Sequence, residues 1–330
     1  GQRRPRRAGA HRRPPAVLSR LATIGIDLGG TKCLGVLLDD AGSVVAEHRL
    51  PTPAGADAVL EVIVEVVRTL DPGGVSQVGV GAPGLVDRDG ELRYAPNLPG
   101  VVRLPLRAEL ERRLPGMRAR IDNDATCATW AEKQVGVARD LDYVILLTLG
   151  TGIGGGIISD GRLERGAHGF AGEMGHMLMA PDGDGCSCGQ QGCWEHYASG
   201  RALARYGQEA AAAGGGARMV ELAGGDPAAI RGEHVSAAAR DGDPDAVAAM
   251  ARLARWVGTG LVSLALAFDP QAFVLGGGLS EVGDLWFADA CRTLAERLTG
   301  APHREPPAVL LAELGEHAGA VGAALLAREA

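Results

Sequence analysis

Apolar side chains in the first third of the chain follow two periods, one typical of strands and one of helices. Residues 22–50 hold three short apolar runs separated by Gly-Gly and Asp-Asp-Ala-Gly turns, which predicts three strands joined as hairpins. Residues 54–70 place apolar positions at helical spacing and end at Asp71-Pro72, a pair that stops a helix. Residues 75–87 predict a further strand that runs into a Pro-Gly turn.

The rest of the chain repeats this arrangement. Residues 141–163 predict a strand, a glycine turn and a second strand. Long Ala-rich helices with a break near 211–217 come next, and residues 271–280 predict a strand that ends in glycines, with a helix from about Asp284. A last strand at 307–314 precedes an Ala-rich C-terminal helix. This alternation predicts an α/β protein with two β-rich cores.

A chain of 330 residues with two β-rich cores is long enough for two domains. We expect a small α/β domain at 22–140, joined by the C-terminal helix at about 317–330, and a large α/β domain at 141–316. The repeated strand, glycine turn and strand differ from the single βαβ fingerprint of a dinucleotide-binding fold.

Charge changes the picture only at the N terminus. Residues 1–20 carry seven arginines and no acid, which predicts a basic disordered arm at 1–21 that is either an unstructured tail or an anion-binding segment. Residues 21–330 carry a net charge of −14, which argues against a body that binds nucleic acid. The apolar stretch 256–268 is shorter than a membrane span and predicts a buried helix. We therefore expect a cytoplasmic protein without nucleic-acid or membrane partners.

Three glycine-rich turns each follow an apolar strand. Glycines at such a turn let main-chain N–H groups approach an anion, and a carboxylate such as Asp27 can hold hydrated Mg²⁺. The second turn is not a Walker A motif, because no Gly-Lys-Ser/Thr follows it. One nucleotide held by all three turns accounts for the repetition. The candidate residues are Asp27, Gly29, Gly30, Thr31 and Lys32, then Gly150, Thr151 and Gly152, then Gly276, Gly277 and Gly278.

A cluster of cysteines follows the second glycine turn. Cys186, Cys188 and Cys193 offer three soft thiolates, a set suited to tetrahedral Zn²⁺, and His176 or His196 could complete it. Four protein ligands close the coordination sphere, so we expect a structural zinc. A redox or disulfide role is the alternative, but an odd number of thiols fits it poorly.

The order DLGGTK, GTGIGGG and LGGG resembles the phosphate-1, phosphate-2 and adenosine loops of the actin, hexokinase and acetate kinase superfamily. The EMGH motif at 173–176, together with CSCGQQGC at 186–193, resembles the ROK family of sugar kinases, most closely its bacterial ATP-dependent glucokinases, over about residues 22–330. The resemblance implies an α/β, two-domain actin-like (ribonuclease-H-like) ATPase fold with an inter-domain active-site cleft. It also implies glucose and ATP as substrates, Mg²⁺, a homodimer or homotetramer, and His176 rather than His196 on the zinc.

The sequence Asp122-Asn123-Asp124 reads as a strand end that enters a helix, and one of the three is expected to cap it. The resemblance makes Asp124 the general base and Asn123 a sugar-hydroxyl ligand. A carboxylate placed to orient the hydroxyl and accept its proton late is what phosphoryl transfer requires. The helix N-terminus is expected to keep Asp124 ionised.

The remaining sugar contacts come from the resemblance as well. Carboxylates accept hydrogen bonds from vicinal hydroxyls, which fits the two glutamates that flank the cysteines. The positions that match the family's sugar ligands are Asn97, Glu173, His176 and Glu195, with Gly84 bringing backbone close to the sugar.

Two departures concern the hexose. Thr126 stands where the family usually has Asn, and Val101 stands where it commonly has Trp. Glucose phosphorylated at its 6-hydroxyl is the expected reaction, with fructose, mannose or an N-acetylhexosamine as alternative acceptors and polyphosphate as an alternative donor. A non-catalytic ROK transcriptional regulator is a further alternative. It is disfavoured because only about 20 residues, without a helical apolar period, precede the first glycine turn.

Overall fold

The computed structural model describes residues 22–71 and 73–329, so the predicted arm at 1–21 lies outside the described residues. The strands in this part of the chain are β1 (Thr23–Leu28), β2 (Lys32–Leu38), β3 (Val44–Pro51), β4 (Gln77–Ala82), β5 (Leu85–Val86), β6 (Leu92–Tyr94), β7 (Val102–Leu104), β8 (Arg118–Asn123), β9 (Val144–Leu149), β10 (Ile153–Ser159), β11 (Arg162–Glu164), β12 (Ala272–Gly276) and β13 (Ala308–Leu311). The α-helices are α1 (Ala56–Leu70), α2 (Leu106–Arg113), α3 (Asp124–Val135), α4 (Glu195–Ala198), α5 (Gly200–Ala212), α6 (Ala217–Leu222), α7 (Gly232–Arg240), α8 (Pro244–Phe268), α9 (Phe287–Arg297) and α10 (Ala318–Ala327).

The first half of the molecule is built on a five-stranded sheet of order β3-β2-β1-β4-β8. The first three strands are antiparallel, as the hairpin pattern predicts, and β4 and β8 run parallel to β1. The predicted helix at 54–70 is confirmed as α1, which buries one apolar face. The strands β5, β6 and β7 form a separate small sheet.

The second half repeats this order with the sheet β11-β10-β9-β12-β13. Here β9, β10 and β11 are antiparallel, and β12 and β13 run parallel to β9. The apolar stretch 256–268 forms the C-terminal half of α8, whose inner side packs into the core around Trp194 and Phe273. The two β-rich cores expected from the apolar pattern are therefore confirmed.

Two helices pack between the two sheets. The C-terminal helix α10 contacts β1, β2, β4 and β8 of the first sheet as well as α3, and α3 also contacts β9 and β10 of the second. Nearly every side chain of α10 is buried, which explains why its sequence is apolar all round. Small residues permit the close approach, since a Cβ at Gly322 would lie 1.7 Å from the carbonyl oxygen of Cys127.

The second half differs from the predicted elements at one boundary. The helix expected from about Asp284 begins at Phe287, because residues Gly278–Leu285 form a 3₁₀ segment with a kink at Val282. The break near 211–217 is confirmed, since α5 ends at Ala212 and α6 begins at Ala217. No helix in the described part of the chain combines the length and apolar character needed to span a bilayer.

Candidate active site and metal centre

Two cavities meet between the halves of the molecule. The first has a volume of about 240 Å³ and lies beside the cysteine cluster. The second has a volume of about 430 Å³ and lies among β12, the start of α3 and the start of α10. Their walls share three residues: Asp124, Thr148 and Gly277. A group that passes from a ligand in one cavity to a ligand in the other must pass these three residues.

Asp124 is placed by the transition from strand to helix. β8 ends at Asn123, whose side-chain oxygen accepts the N–H of Thr126 at 3.0 Å and so caps α3. The amide nitrogen of Asn123 donates to the carbonyl of Gly84 at 3.1 Å, which ties this junction to the Pro-Gly turn after β4. The expected N-cap among the three polar residues is therefore Asn123, which leaves the Asp124 side chain in the cleft.

The electrostatic surroundings of Asp124 differ from the sequence-based expectation. Burial and the neighbouring charge of Asp27 raise the pKa of Asp124 to about 7, although its Oδ1 accepts the N–H of Ala125 at 2.8 Å. The helix N-terminus therefore does not keep this carboxylate fully ionised at neutral pH, as the sequence-based expectation had it, because desolvation outweighs the backbone N–H groups. A pKa of this size suits a general base that works near pH 7.

All seven predicted sugar ligands line the first cavity. The second glycine turn, predicted to bind phosphate, lines the same cavity rather than the second one. The predicted residues in this wall are Gly84, Asn97, Asn123, Asp124, Gly150, Thr151, Gly152, Glu173, His176, Cys188, Glu195 and Gly277. Burial raises the pKa of Glu173, with Glu195 adding to this effect and His176 opposing it.

The second cavity brings together the first and third glycine turns. Asp27, Lys32 and all three glycines of 276–278 line it. Burial raises the pKa of Asp27 to about 6 despite the nearby Lys32, a state that a bound cation would reverse. Gly29, Gly30 and Thr31 lie outside the walls of both cavities; a Cβ at Gly30 would lie 2.8 Å from the carbonyl oxygen of Asn97, so this turn packs against the rim of the first cavity.

Three thiols and one imidazole form a candidate metal centre. The ligand atoms of His176, Cys186, Cys188 and Cys193 all lie within 4.8 Å of one another. Cys188 Sγ is 3.6 Å from Cys193 Sγ, and His176 Nδ1 is 3.8 Å from Cys186 Sγ. Burial and the neighbouring thiols raise the pKa of Cys193 to about 12, so these thiols need a cation to ionise together. The set and spacing fit tetrahedral zinc.

The alternative zinc ligand, His196, is not among the residues whose ligand atoms converge on the candidate metal centre. Its Nε2 lies 3.3 Å from Asp184 Oδ2. The imidazole of His176 instead spans the two sites, with Nδ1 on the side of Cys186 and Nε2 3.9 Å from Glu173 Oε2. Of the two histidines weighed from the sequence, the geometry favours His176.

Glu195 joins the metal centre to the first cavity. One of its oxygens accepts from the Cys186 thiol at 3.2 Å and the other accepts the N–H of Ile153 at 3.4 Å. Tyr197, two residues after Glu195, makes two further contacts. Its hydroxyl accepts the N–H of Asp184 at 3.0 Å, and the Tyr197 ring stacks on Trp256 with ring centroids 4.5 Å apart. The carboxylate of Glu195 is therefore held by Cys186 and Ile153, and its backbone by the contacts of Tyr197.

Sequence reasoning missed several residues of the cleft. Thr148 lies at the junction of the two cavities, but a threonine inside an apolar strand carries no motif. Glu316 forms an ion pair with Lys32 although 284 residues separate them. Arg201 lines the first cavity, and Arg165, which lies outside both cavity walls, pairs with Asp122 across the two sheets. Only the proximity of Arg165 to the EMGH motif could have drawn attention to it.

Comparison with known proteins decides the family. The ROK family profile matches residues 23–330. The chain belongs to the ROK family. The sequence is 45% identical over 311 residues to a glucokinase of Streptomyces coelicolor, covering 93% of this chain and 98% of the relative. It is 35% identical to an N-acetylmannosamine kinase of Citrobacter koseri, covering 93% and 99%.

A solved ROK structure shares the fold. The crystal structure of a ROK family glucokinase from Streptomyces griseus in complex with glucose and AMPPNP superposes with a TM-score of 0.84. That chain is 43% identical, and the match covers 94% of this chain and 100% of the other. The resemblance stated from the motifs is confirmed, and so is the two-domain actin-like α/β fold of ROK kinases.

Proposed function

We propose that this ROK protein is a glucokinase that transfers a phosphoryl group from ATP to the 6-hydroxyl of glucose. The observation that carries the proposal is Asp124, which stands in the wall shared by the two cavities. The glucokinase of Streptomyces coelicolor, 45% identical over nearly the whole chain, and the Streptomyces griseus glucokinase complex with glucose and AMPPNP support it.

Asp124 acts as the general base. With glucose in the first cavity and ATP in the second, its carboxylate orients the 6-hydroxyl and accepts the proton as the oxygen attacks the γ-phosphorus. The bond between the γ-phosphorus and the bridging oxygen breaks, and ADP leaves with that oxygen. Such positioning supplies much of the catalysis in phosphoryl transfer.

The other side chains of the first cavity bind and orient the sugar. Glu173 and Glu195 accept hydrogen bonds from vicinal hydroxyls, and His176 donates from the ring nitrogen that faces Glu173. Asn97, Asn123 and the backbone at Gly84 complete the wall. Of the residues that line the first cavity, Asp124 also lines the second cavity, so the 6-hydroxyl would lie beside Asp124.

The second cavity would hold the nucleotide. Asp27 is the residue placed to bind hydrated Mg²⁺, which when present would neutralise charge on the transferred phosphoryl group. Lys32 and the N–H groups of Gly276, Gly277 and Gly278 are placed to contact phosphate oxygens or the nucleoside. The second glycine turn, Gly150, Thr151 and Gly152, would approach the transferred phosphate from the first cavity.

The zinc proposal is structural. His176, Cys186, Cys188 and Cys193 would hold Zn²⁺, which would cross-link the loop that carries the sugar ligands and leave the chemistry to other residues. Because His176 belongs to both sites, the metal would fix a sugar contact directly. The proposal also includes a homodimer or homotetramer, which light scattering on the purified protein would test.

A second candidate substrate is an N-acetylhexosamine. The observation that favours it is the 35% identity with the N-acetylmannosamine kinase of Citrobacter koseri over 93% of the chain. Phosphorylation of glucose, mannose, fructose, N-acetylglucosamine and N-acetylmannosamine should be compared with ATP or polyphosphate as donor, following ADP release or sugar phosphate directly. The highest kcat/KM is expected for glucose with ATP. Preference for another sugar or for polyphosphate would reassign the substrate, and turnover of none would favour the non-catalytic regulator.

A further inference from the structure

Asp122 and Arg165 form an ion pair between the two halves of the molecule. Asp122 is the second-last residue of β8, on the first sheet, and Arg165 follows β11, the edge strand of the second sheet. Arg165 Nε donates to Asp122 Oδ2 at 2.8 Å, and the two side chains are 21% and 9% exposed. A pair this shielded from solvent is screened little by salt and holds a defined geometry.

Each partner leads directly into the first cavity. The other oxygen of Asp122 accepts the N–H of Asn123 at 3.1 Å, one residue before Asp124. Arg165 begins the segment 165–172, and Glu173 follows directly after it. The ion pair therefore joins the strand that leads into Asp124 to the segment that leads into Glu173.

Segment 165–172 crosses to the first half at two further points. The guanidinium of Arg88 donates from Nε to the carbonyl of Gly166 at 3.1 Å. Gly169 has a φ of +98°, and a Cβ there would lie 2.7 Å from the carbonyl oxygen of Val86. Both contacts are made through main-chain atoms of the segment. Arg165 adds a side-chain contact to this crossing, through its ion pair with Asp122 on β8.

We propose that Arg165 is a positioning residue for sugar phosphorylation. Its pairing with Asp122 sets the spacing between Asp124 on one side of the first cavity and Glu173 on the other. The inference rests on the proposed sugar kinase function. It assigns Arg165 and Asp122 to neither sugar nor nucleotide binding, since neither lines the cavities.

Substitutions at Arg165 and Asp122 distinguish two roles for Arg165: positioning the sugar site, or only neutralising the buried Asp122 carboxylate. Arg165→Gln leaves the Asp122 carboxylate buried and unpaired, so it lowers the melting temperature and raises the KM for glucose at least tenfold, with the KM for ATP within twofold. Arg165→Lys keeps the charge and recovers part of the loss. The double variant Asp122→Asn, Arg165→Gln removes the unpaired charge, so the melting temperature recovers while the KM for glucose stays raised.

The experiment measures kcat, both KM values and the melting temperature for wild type and these variants. Arg292→Gln is the matched control, because it removes an exposed pair with Asp289 on α9 and should change nothing. A KM for glucose that is unchanged in Arg165→Gln, or that returns to wild type with stability in the double variant, overturns the positioning role. Wild-type protein without glucose turnover would instead contradict the proposed function, so the two failures are distinguishable.

Discussion

Lys32 Nζ lies 2.8 Å from Glu316 Oε2, so the cation of the first glycine turn is already paired at the edge of the second cavity. Arg49 binds the other oxygen of the same carboxylate at 2.9 Å. These two cations lower the pKa of Glu316 to about 2, which keeps the carboxylate charged throughout the working pH range. A triphosphate that enters this cavity must therefore compete with Glu316 for Lys32.

Glu316→Gln is expected to lower the KM for ATP by about two- to fivefold, because an exposed ion pair is worth at most about 1 kcal/mol. The KM for glucose should not change. Initial rates at varied ATP and saturating glucose provide the test. Glu47→Gln is the control. Glu47 Oε2 lies 2.8 Å from His317 Nε2, and neither residue lines the second cavity, so this substitution removes the charge of a comparable pair away from the nucleotide. A higher KM for ATP in Glu316→Gln would mean that Glu316 holds Lys32 in place for the phosphates.

The pH dependence of turnover follows from the pKa of Asp124, which burial raises to about 7. The base must be deprotonated to accept a proton. We therefore expect kcat/KM for glucose to increase about tenfold per pH unit well below pH 7 and to reach a plateau above pH 7. A coupled assay between pH 5.5 and 8.5 with the coupling enzymes in excess measures this profile. A flat profile across pH 6 to 8 would show that Asp124 titrates elsewhere or is not the base.

Cys188→Ala is expected to abolish zinc binding and to lower the melting temperature, because structural zinc binding is coupled to folding. The KM for glucose should rise, since His176 loses its metal-fixed orientation, while the KM for ATP stays the same. Elemental analysis, thermal unfolding and kinetics report the three effects. Cys291→Ala is the control, because Cys291 is a half-buried thiol of α9 outside the cluster. Wild-type protein that is fully active and metal-free as purified would favour the redox alternative.

Gly322→Ala tests the packing of α10 on α3. The added Cβ would lie 1.7 Å from the carbonyl oxygen of Cys127, so the two helices must separate, at a cost of about 1–3 kcal/mol. Because Asp124 begins α3, we expect kcat to fall together with the melting temperature. Gly283→Ala is the control, since its new Cβ would meet no heavy atom closer than 3.9 Å. Wild-type stability in Gly322→Ala would show that the helix contact is looser than described.

The repeating part of the fold could be predicted from the sequence. The hairpins of both sheets and the helix α1 follow from apolar periodicity and from turn residues, which act locally. The small sheet of β5, β6 and β7 was missed because strands of two or three residues have no measurable period. The exact start of α9 was missed because a 3₁₀ segment shares the apolar spacing of the helix that follows it.

Part of the candidate site could also be predicted from the sequence, and part of it could not. Cys188 could be named because three thiols at metal-ligand spacing lie in one short stretch of sequence, and Asp124 could be named because the motifs resemble those of the ROK family. The ion pair of Lys32 with Glu316 and that of Asp122 with Arg165 join distant parts of the chain, so only the fold reveals them. The pKa of Asp124 also escaped prediction, because burial in the cleft opposes the helix N-terminus and is a property of the packed structure.

The most direct test of the account compares Asp124→Asn with wild type, because the substitution removes the base and keeps the size and much of the hydrogen bonding of the side chain. Calorimetry should give a glucose Kd within a few-fold of the wild-type value, and the melting temperature should not fall. The kcat for glucose phosphorylation by ATP should drop by about 10²–10⁴-fold, the range attributed to a general base. An Asp124→Asn variant that binds glucose normally and turns it over at the wild-type rate would contradict the central claim that phosphoryl transfer takes place at the junction of the two cavities under the control of Asp124.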